Sequence, residues 1–137
     1  MVIDTNVFLS AFATPRGTAA RAVEYAAGCA AILASEETYA ELAAKLAASR
    51  FALKFGTEAD RMEYLSTIGA LLSFVVVTST ATASSDPKDN MFLALALDGH
   101  ADCVVSGDKK HMLSLGAYEG IPILSPAEFL SRYGDAS

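Results

Sequence analysis

Two runs, Phe74-Val75-Val76-Val77-Thr78 and Asp102-Cys103-Val104-Val105-Ser106, are apolar at every central position rather than at alternate ones. Alternation marks a strand with one covered face; uniform apolarity requires cover on both, the condition of a parallel sheet between helical layers. Similar short runs recur at 2–4, 30–34 and 121–124, separated by longer helix-patterned segments. Such alternation is the signature of βαβ units. The expected fold is α/β, with strands at 2–4, 30–34, 74–78, 102–106 and 121–124 and helices on both faces.

The intervening segments support this. Segment 36–48 puts Tyr39, Leu42, Ala43, Leu46 and Ala47 at helical spacing, and a second helix, 58–72, opens on the capping-box pattern Thr57-Glu58-Ala59-Asp60. Two consecutive helices between the second and third strands predict a small helical protrusion over about 36–73 of one domain, 1–137. Segment 89–98 is apolar nearly all round through Met91, Phe92, Leu93, Leu95 and Leu97, as a central buried helix is. Asp86-Pro87-Lys88-Asp89 supplies its N-cap, a first-turn proline and an early acid, and Ser125-Pro126-Ala127-Glu128 repeats that logic before the last helix. The small polar stretch Thr78 to Ser85 reads as a flexible loop.

Apolar residues make up 53% of the chain, yet no apolar stretch reaches the roughly 18 residues of a membrane span. No membrane association is expected, and a start without a basic segment and long apolar run makes the cytoplasm the expected address. Cys29 and Cys103 are too few for a disulfide framework and read as reduced core residues.

The acids carry the chemistry. Asp4 ends the first strand and Asp108 stands just past the fourth, and acids at the C-terminal ends of parallel strands point into the crevice where such sheets bind ligands. Each has a structural alternative. Asp4, Asp86, Asp89 and Asp108 all stand where a helix cap is plausible, and Glu41 is spaced to pair with Lys45. Together they form a set, Asp4, Glu41, Asp89 and Asp108 with Asp86 as an auxiliary acid, that would repel unless a cation neutralised it. Hard oxygen ligands in that number suit Mg²⁺ or Mn²⁺, one or two ions. Thr5, Asn6 and Ser106 supply short groups able to orient ligands from behind. The net charge of −6 argues against a nucleic-acid partner until two divalent ions are counted, since −6 + 4 leaves −2. Arg16, Lys109 and Lys110 are then candidates to hold phosphates. His111 reads as a helix-surface residue and His100 as a turn residue.

Asp4-Thr5-Asn6-Val7, Glu41 in a helix, Asp86-Pro87-Lys88-Asp89-Asn90 opening an apolar helix, and Ser106-Gly107-Asp108-Lys109 after an apolar strand resemble, in that order, a PIN domain. The likeness spans essentially the whole chain, through Gly120-Ile121-Pro122-Ile123-Leu124-Ser125-Pro126-Ala127-Glu128, and is nearest to VapC-related toxins of toxin–antitoxin pairs. It implies a three-layer α/β/α sandwich on a five-stranded parallel sheet in order 3-2-1-4-5. It also implies Mg²⁺- or Mn²⁺-dependent cleavage of RNA, with Asp4, Glu41, Asp89 and Asp108 as the catalytic and metal set, and a cognate antitoxin. One departure is Ser106-Gly107 where many VapC-type toxins carry Thr-Asn. A homodimer is expected, with Phe51, Phe55, Tyr64 and Leu65 as surplus apolar surface. Two other readings stay open: a PIN scaffold that binds RNA or a protein without cutting, and a Mg²⁺-binding receiver-like signalling domain. The second lacks an acid at the end of the third strand and a lysine at the end of the fifth.

Overall fold

The computed structural model describes residues 1–48 and 56–134. The chain runs β1 (Val2–Ile3), α1 (Thr5–Ala13), α2 (Thr18–Cys29), β2 (Ile32–Ala34), α3 (Glu36–Ala47), α4 (Glu58–Leu71), β3 (Leu72–Phe74) and α5 (Pro87–Asp98). It continues through β4 (Val104–Val105), a 3₁₀ turn (Leu113–Leu115), β5 (Ala117–Tyr118), β6 (Ile121–Leu124) and α6 (Pro126–Tyr133). The sheet order is β3-β2-β1-β4-β6-β5, parallel except for the β5–β6 pair. The five expected parallel strands lie in the expected order, with 121–124 as β6; β5 is an antiparallel sixth. Glu119 and Gly120 join β5 to β6 with φ of 49° and 80°, the two positive values that a tight two-residue hairpin demands.

Side chains alternate across the sheet. Ile3, Val105 and Leu124 enter one apolar cluster, with α1, α2, α3, α4 and α6. Val2, Val104 and Ile123 enter the other, where α5 is the only α-helix among the described residues. The strand at 121–124 has the expected bounds, while the other four pair over shorter stretches than their apolar runs suggest. The third differs most, lying at Leu72–Phe74 rather than 74–78. Its ladder to β2 ends where Val75 N–H donates to Ala34 O at 2.8 Å. Beyond that point the Asp98 carboxylate accepts the N–H groups of Thr78 and Ser79, at 2.6 and 2.9 Å, and the Ser79 hydroxyl. The chain is drawn to the C-terminal end of α5 instead of continuing beside β2.

The polar stretch that follows is therefore tied down rather than a flexible loop, with Ala81 and Ser84 buried. The capping boxes at Thr57/Asp60 and Ser125/Glu128 form as their sequences predict. Cys103 is buried but Cys29, the last residue of α2, is exposed, so only one of the two cysteines is a core residue. Tyr64 and Leu65 pack against the larger cluster, and the Tyr64 hydroxyl donates to Phe8 O at 2.7 Å. They are not the free surface expected of them; Phe51 and Phe55 lie outside the described residues. Among the described residues, no helix is long and apolar enough to cross a membrane.

Candidate acid site

Parallel pairing fixes the first two acids. Ile3 pairs with Val105, so the next residues on each strand, Asp4 and Ser106, emerge side by side at the C-terminal edge. Asp4 occupies the N-cap position of α1 but makes no capping hydrogen bond. Its Oδ2 instead accepts the Ser106 hydroxyl at 2.8 Å, while Ser106 Oγ accepts the Asp108 N–H at 3.1 Å. Ser106 is fully buried and thus links the two acids directly. Burial pushes the Asp4 carboxyl above its ordinary range; the Ser106 hydroxyl and the nearby Asn6 N–H oppose this, and the charges of Glu41 and Asp108 add to it.

Asp108 does satisfy a turn, since its Oδ1 accepts the N–H groups of Lys110 and His111 at 3.1 and 3.0 Å. Only one of its two oxygens is used this way. Asp86 caps α5 through the Lys88 N–H at 3.1 Å, which places Asp89 in the first helical turn, buried. Burial, a hydrogen bond to Asp108, and the charges of Asp4, Asp108 and Asp86 push Asp89 up to about 7. Asp108 is held below the ordinary range; burial works against this, but the His111 N–H, the Asp89 hydrogen bond and the Lys110 N–H prevail. Of the two neighbours, Asp89 therefore holds its proton the more tightly and Asp108 is the more readily ionised. Glu41, on α3 and half-buried, is close enough for Asp4 to feel its charge.

Asp4, Asp89 and Asp108 thus lie within electrostatic reach of one another, Glu41 acts on Asp4, and Asp86 acts on Asp89. Among the described residues, however, no three His, Cys, Asp or Glu side chains stand together as a ready-made metal cage. The fit to a divalent cation rests on other observations. The donors are all hard oxygens, two carboxyls are destabilised as anions, and Thr5 Oγ1, buried on the residue after Asp4, has no hydrogen-bond partner among the described residues.

A cleft of about 520 Å³ opens beside Asp108, lined by Asn6, Ser10, Gly107, Lys109 and Lys110 among others. The exposed Arg16 lies outside its lining. A second cleft, about 560 Å³, runs between Glu36, Glu37, Phe74, Val76 and Met91 and is lined by none of the four acids. His111 sits in the turn after Asp108, not on a helix, with Nδ1 2.7 Å from Ser85 Oγ. His100, with φ of 53°, is a turn residue. Sequence reasoning missed Ser84, whose hydroxyl lies 3.4 Å from Asp89 Oδ2. Its one legible signal is its place two residues before the Asp86 cap.

A family model described as PIN domain matches residues 1–110. The chain belongs to the PIN domain family. In fold it is similar to a chain in the crystal structure of VapBC2 from Rickettsia felis bound to a DNA fragment from their promoter. The TM-score is 0.65 at 14% identity, covering 90% of this chain and 96% of that one. At that identity the likeness speaks for the fold alone. No curated protein matches in sequence.

Proposed function

We propose that this PIN domain is a Mg²⁺- or Mn²⁺-dependent endoribonuclease, the toxin of a toxin–antitoxin pair. The observation that carries the reading is the convergence of Asp4, Asp89 and Asp108 at the C-terminal ends of β1 and β4, with Ser106 linking Asp4 to Asp108, the charges of both raising Asp89, and Glu41 near enough to act on Asp4. A fold that gathers buried acids at a cost to their ionisation is arranged for a cation. When bound, a divalent ion supplies charge neutralisation at the scissile phosphate and lowers the pKa of water there.

The chain's own residues do the rest. Asp4, Glu41, Asp89 and Asp108 are the ligands, with Asp86 in support, while Ser106 aims Asp4 and Thr5 and Asn6 back the site. Lys109 and Lys110 line the cleft where they meet phosphates of the RNA, and Arg16 extends that contact at the surface. A cognate antitoxin is the regulatory partner, in keeping with membership of the family and a fold shared with a VapBC2 chain. A second copy of this chain, in the cytoplasm, completes the assembly. A PIN scaffold that binds RNA or a protein without cutting is the rival reading, and the lack of a three-ligand cage among the described residues speaks for it.

Incubation of single-stranded and structured RNA with the protein and Mn²⁺, with and without chelator, separates the two. Cleavage is expected to require the ion and to vanish in Asp4→Asn and Asp108→Asn, with thermal stability retained. Wild-type rates in both variants would falsify the assignment.

A further inference from the structure

Two arms of the chain meet over the acid site: segment 84–90, carrying Asp86 and Asp89, and the turn 108–111, carrying Asp108. Ser84 is buried where they meet, only 6% exposed. Its Oγ accepts the Asp86 N–H at 3.2 Å and lies 3.4 Å from Asp89 Oδ2 and 3.3 Å from His111 O, so its one proton has an acceptor on either arm. The serine's own backbone is held at two points by the Asn90 side chain. Ser84 N–H donates to Asn90 Oδ1 at 2.9 Å, and Asn90 Nδ2 donates to Ser84 O at 3.1 Å. Ser85 adds the contact to His111 Nδ1.

We propose that Ser84 is a positioning residue of the acid site: its hydroxyl, fixed by the Asn90 clamp, sets how Asp89 lies against the turn that carries Asp108. The geometry favours this over a merely local role, because a serine that only closed its own turn would need the Asp86 N–H and nothing from residues 108–111. Asn90 acts one step behind, holding the backbone that aims the hydroxyl. Groups of this kind orient ligands they do not replace, and their loss commonly weakens metal affinity about 10–100-fold.

The proposal rests on the nuclease reading, so the test reads ion binding without RNA as well as cleavage. Mn²⁺ binding to the whole protein is followed by electron paramagnetic resonance for wild type, Ser84→Ala, Asn90→Ala and the double variant. Thr57→Ala, which removes the distant cap of α4, controls for lost stability. Ser84→Ala and Asn90→Ala are each expected to weaken Mn²⁺ at least about tenfold, with cleavage falling in step, and the double variant to be little worse than the weaker single. Thr57→Ala should lower the melting temperature and leave Mn²⁺ affinity alone. Wild-type affinity in Ser84→Ala, equal weakening in Thr57→Ala, or additive losses in the double variant would each overturn the proposal while leaving the nuclease reading intact. If Ser84→Ala does not fold, unchanged Mn²⁺ affinity in Asn90→Ala does so by itself. A wild-type protein that binds no Mn²⁺ overturns the nuclease reading, and this proposal with it.

Discussion

Burial and its acidic neighbours push Asp89 up to about 7, against an ordinary aspartate value of about 3.9. The folded metal-free protein therefore holds this proton more tightly than the unfolded chain does. Stability contributed by Asp89 falls as pH rises from about 4 through about 7 and is level above, the reverse of a carboxylate whose folded pKa is lowered. Asp98 and Glu128 are of that ordinary lowered kind, but they are common to wild type and Asp89→Asn. Urea unfolding of the two metal-free proteins should show Asp89→Asn gaining on wild type between pH 4 and 7, with no further gain to pH 8. A stability difference that does not change with pH would refute this. The acids at strand ends were legible in sequence because strand polarity alone dictates where they emerge. Ser84 was not, because a buried serine and a loop serine look alike until Asn90 and the 108–111 turn are seen beside it.

At the scale of elements, Arg61 holds two helices together. It is buried on α4, where Nε donates to Leu46 O in the last turn of α3 and one guanidinium NH₂ donates to Gly56 O, both at 2.7 Å. Arg61→Met keeps much of the aliphatic length but leaves two carbonyls without this donor, and should cost about 1–3 kcal/mol. Thermal unfolding checks it; a melting temperature equal to wild type would show the carbonyls to be satisfied otherwise. The helices were readable because capping boxes and apolar stripes are local signals. The limits of β3 were not, since Val76 and Val77 have strand chemistry and lose their place in the ladder as the chain turns toward a distant carboxylate, Asp98. The β5 hairpin escaped notice for a related reason: Glu119 in place of Asn or Asp at a positive φ gives little warning of a tight turn.

For the whole molecule, β3 is an edge strand without lysine, proline or bulge, and Phe74 and Val76 beside it are 56% and 87% exposed. The edge is only three residues long, which limits strand pairing, so it is the exposed Phe74 and Val76 that offer apolar surface to a second copy. Sedimentation at micromolar concentration is expected to give a species of twice the 14.3 kDa chain mass, and Val76→Lys a monomer. A wild-type monomer would sink the homodimer. The two faces of the sheet are unequally dressed: among the described residues, five helices share one apolar cluster, and α5 is the lone α-helix in the other. Burying Phe92, Leu93 and Leu95 is worth about 1.5–3 kcal/mol each, so α5 cannot loosen without uncovering the smaller of the two apolar clusters. The same helix carries Asp89 in its first turn. Melting the acid site through α5 would thus melt the protein, which leaves no partly opened, inactive form through that helix. Under the proposed function, restraint by that route is closed, so an inhibitor that works by covering the site would do so on an intact surface and only while it stays there.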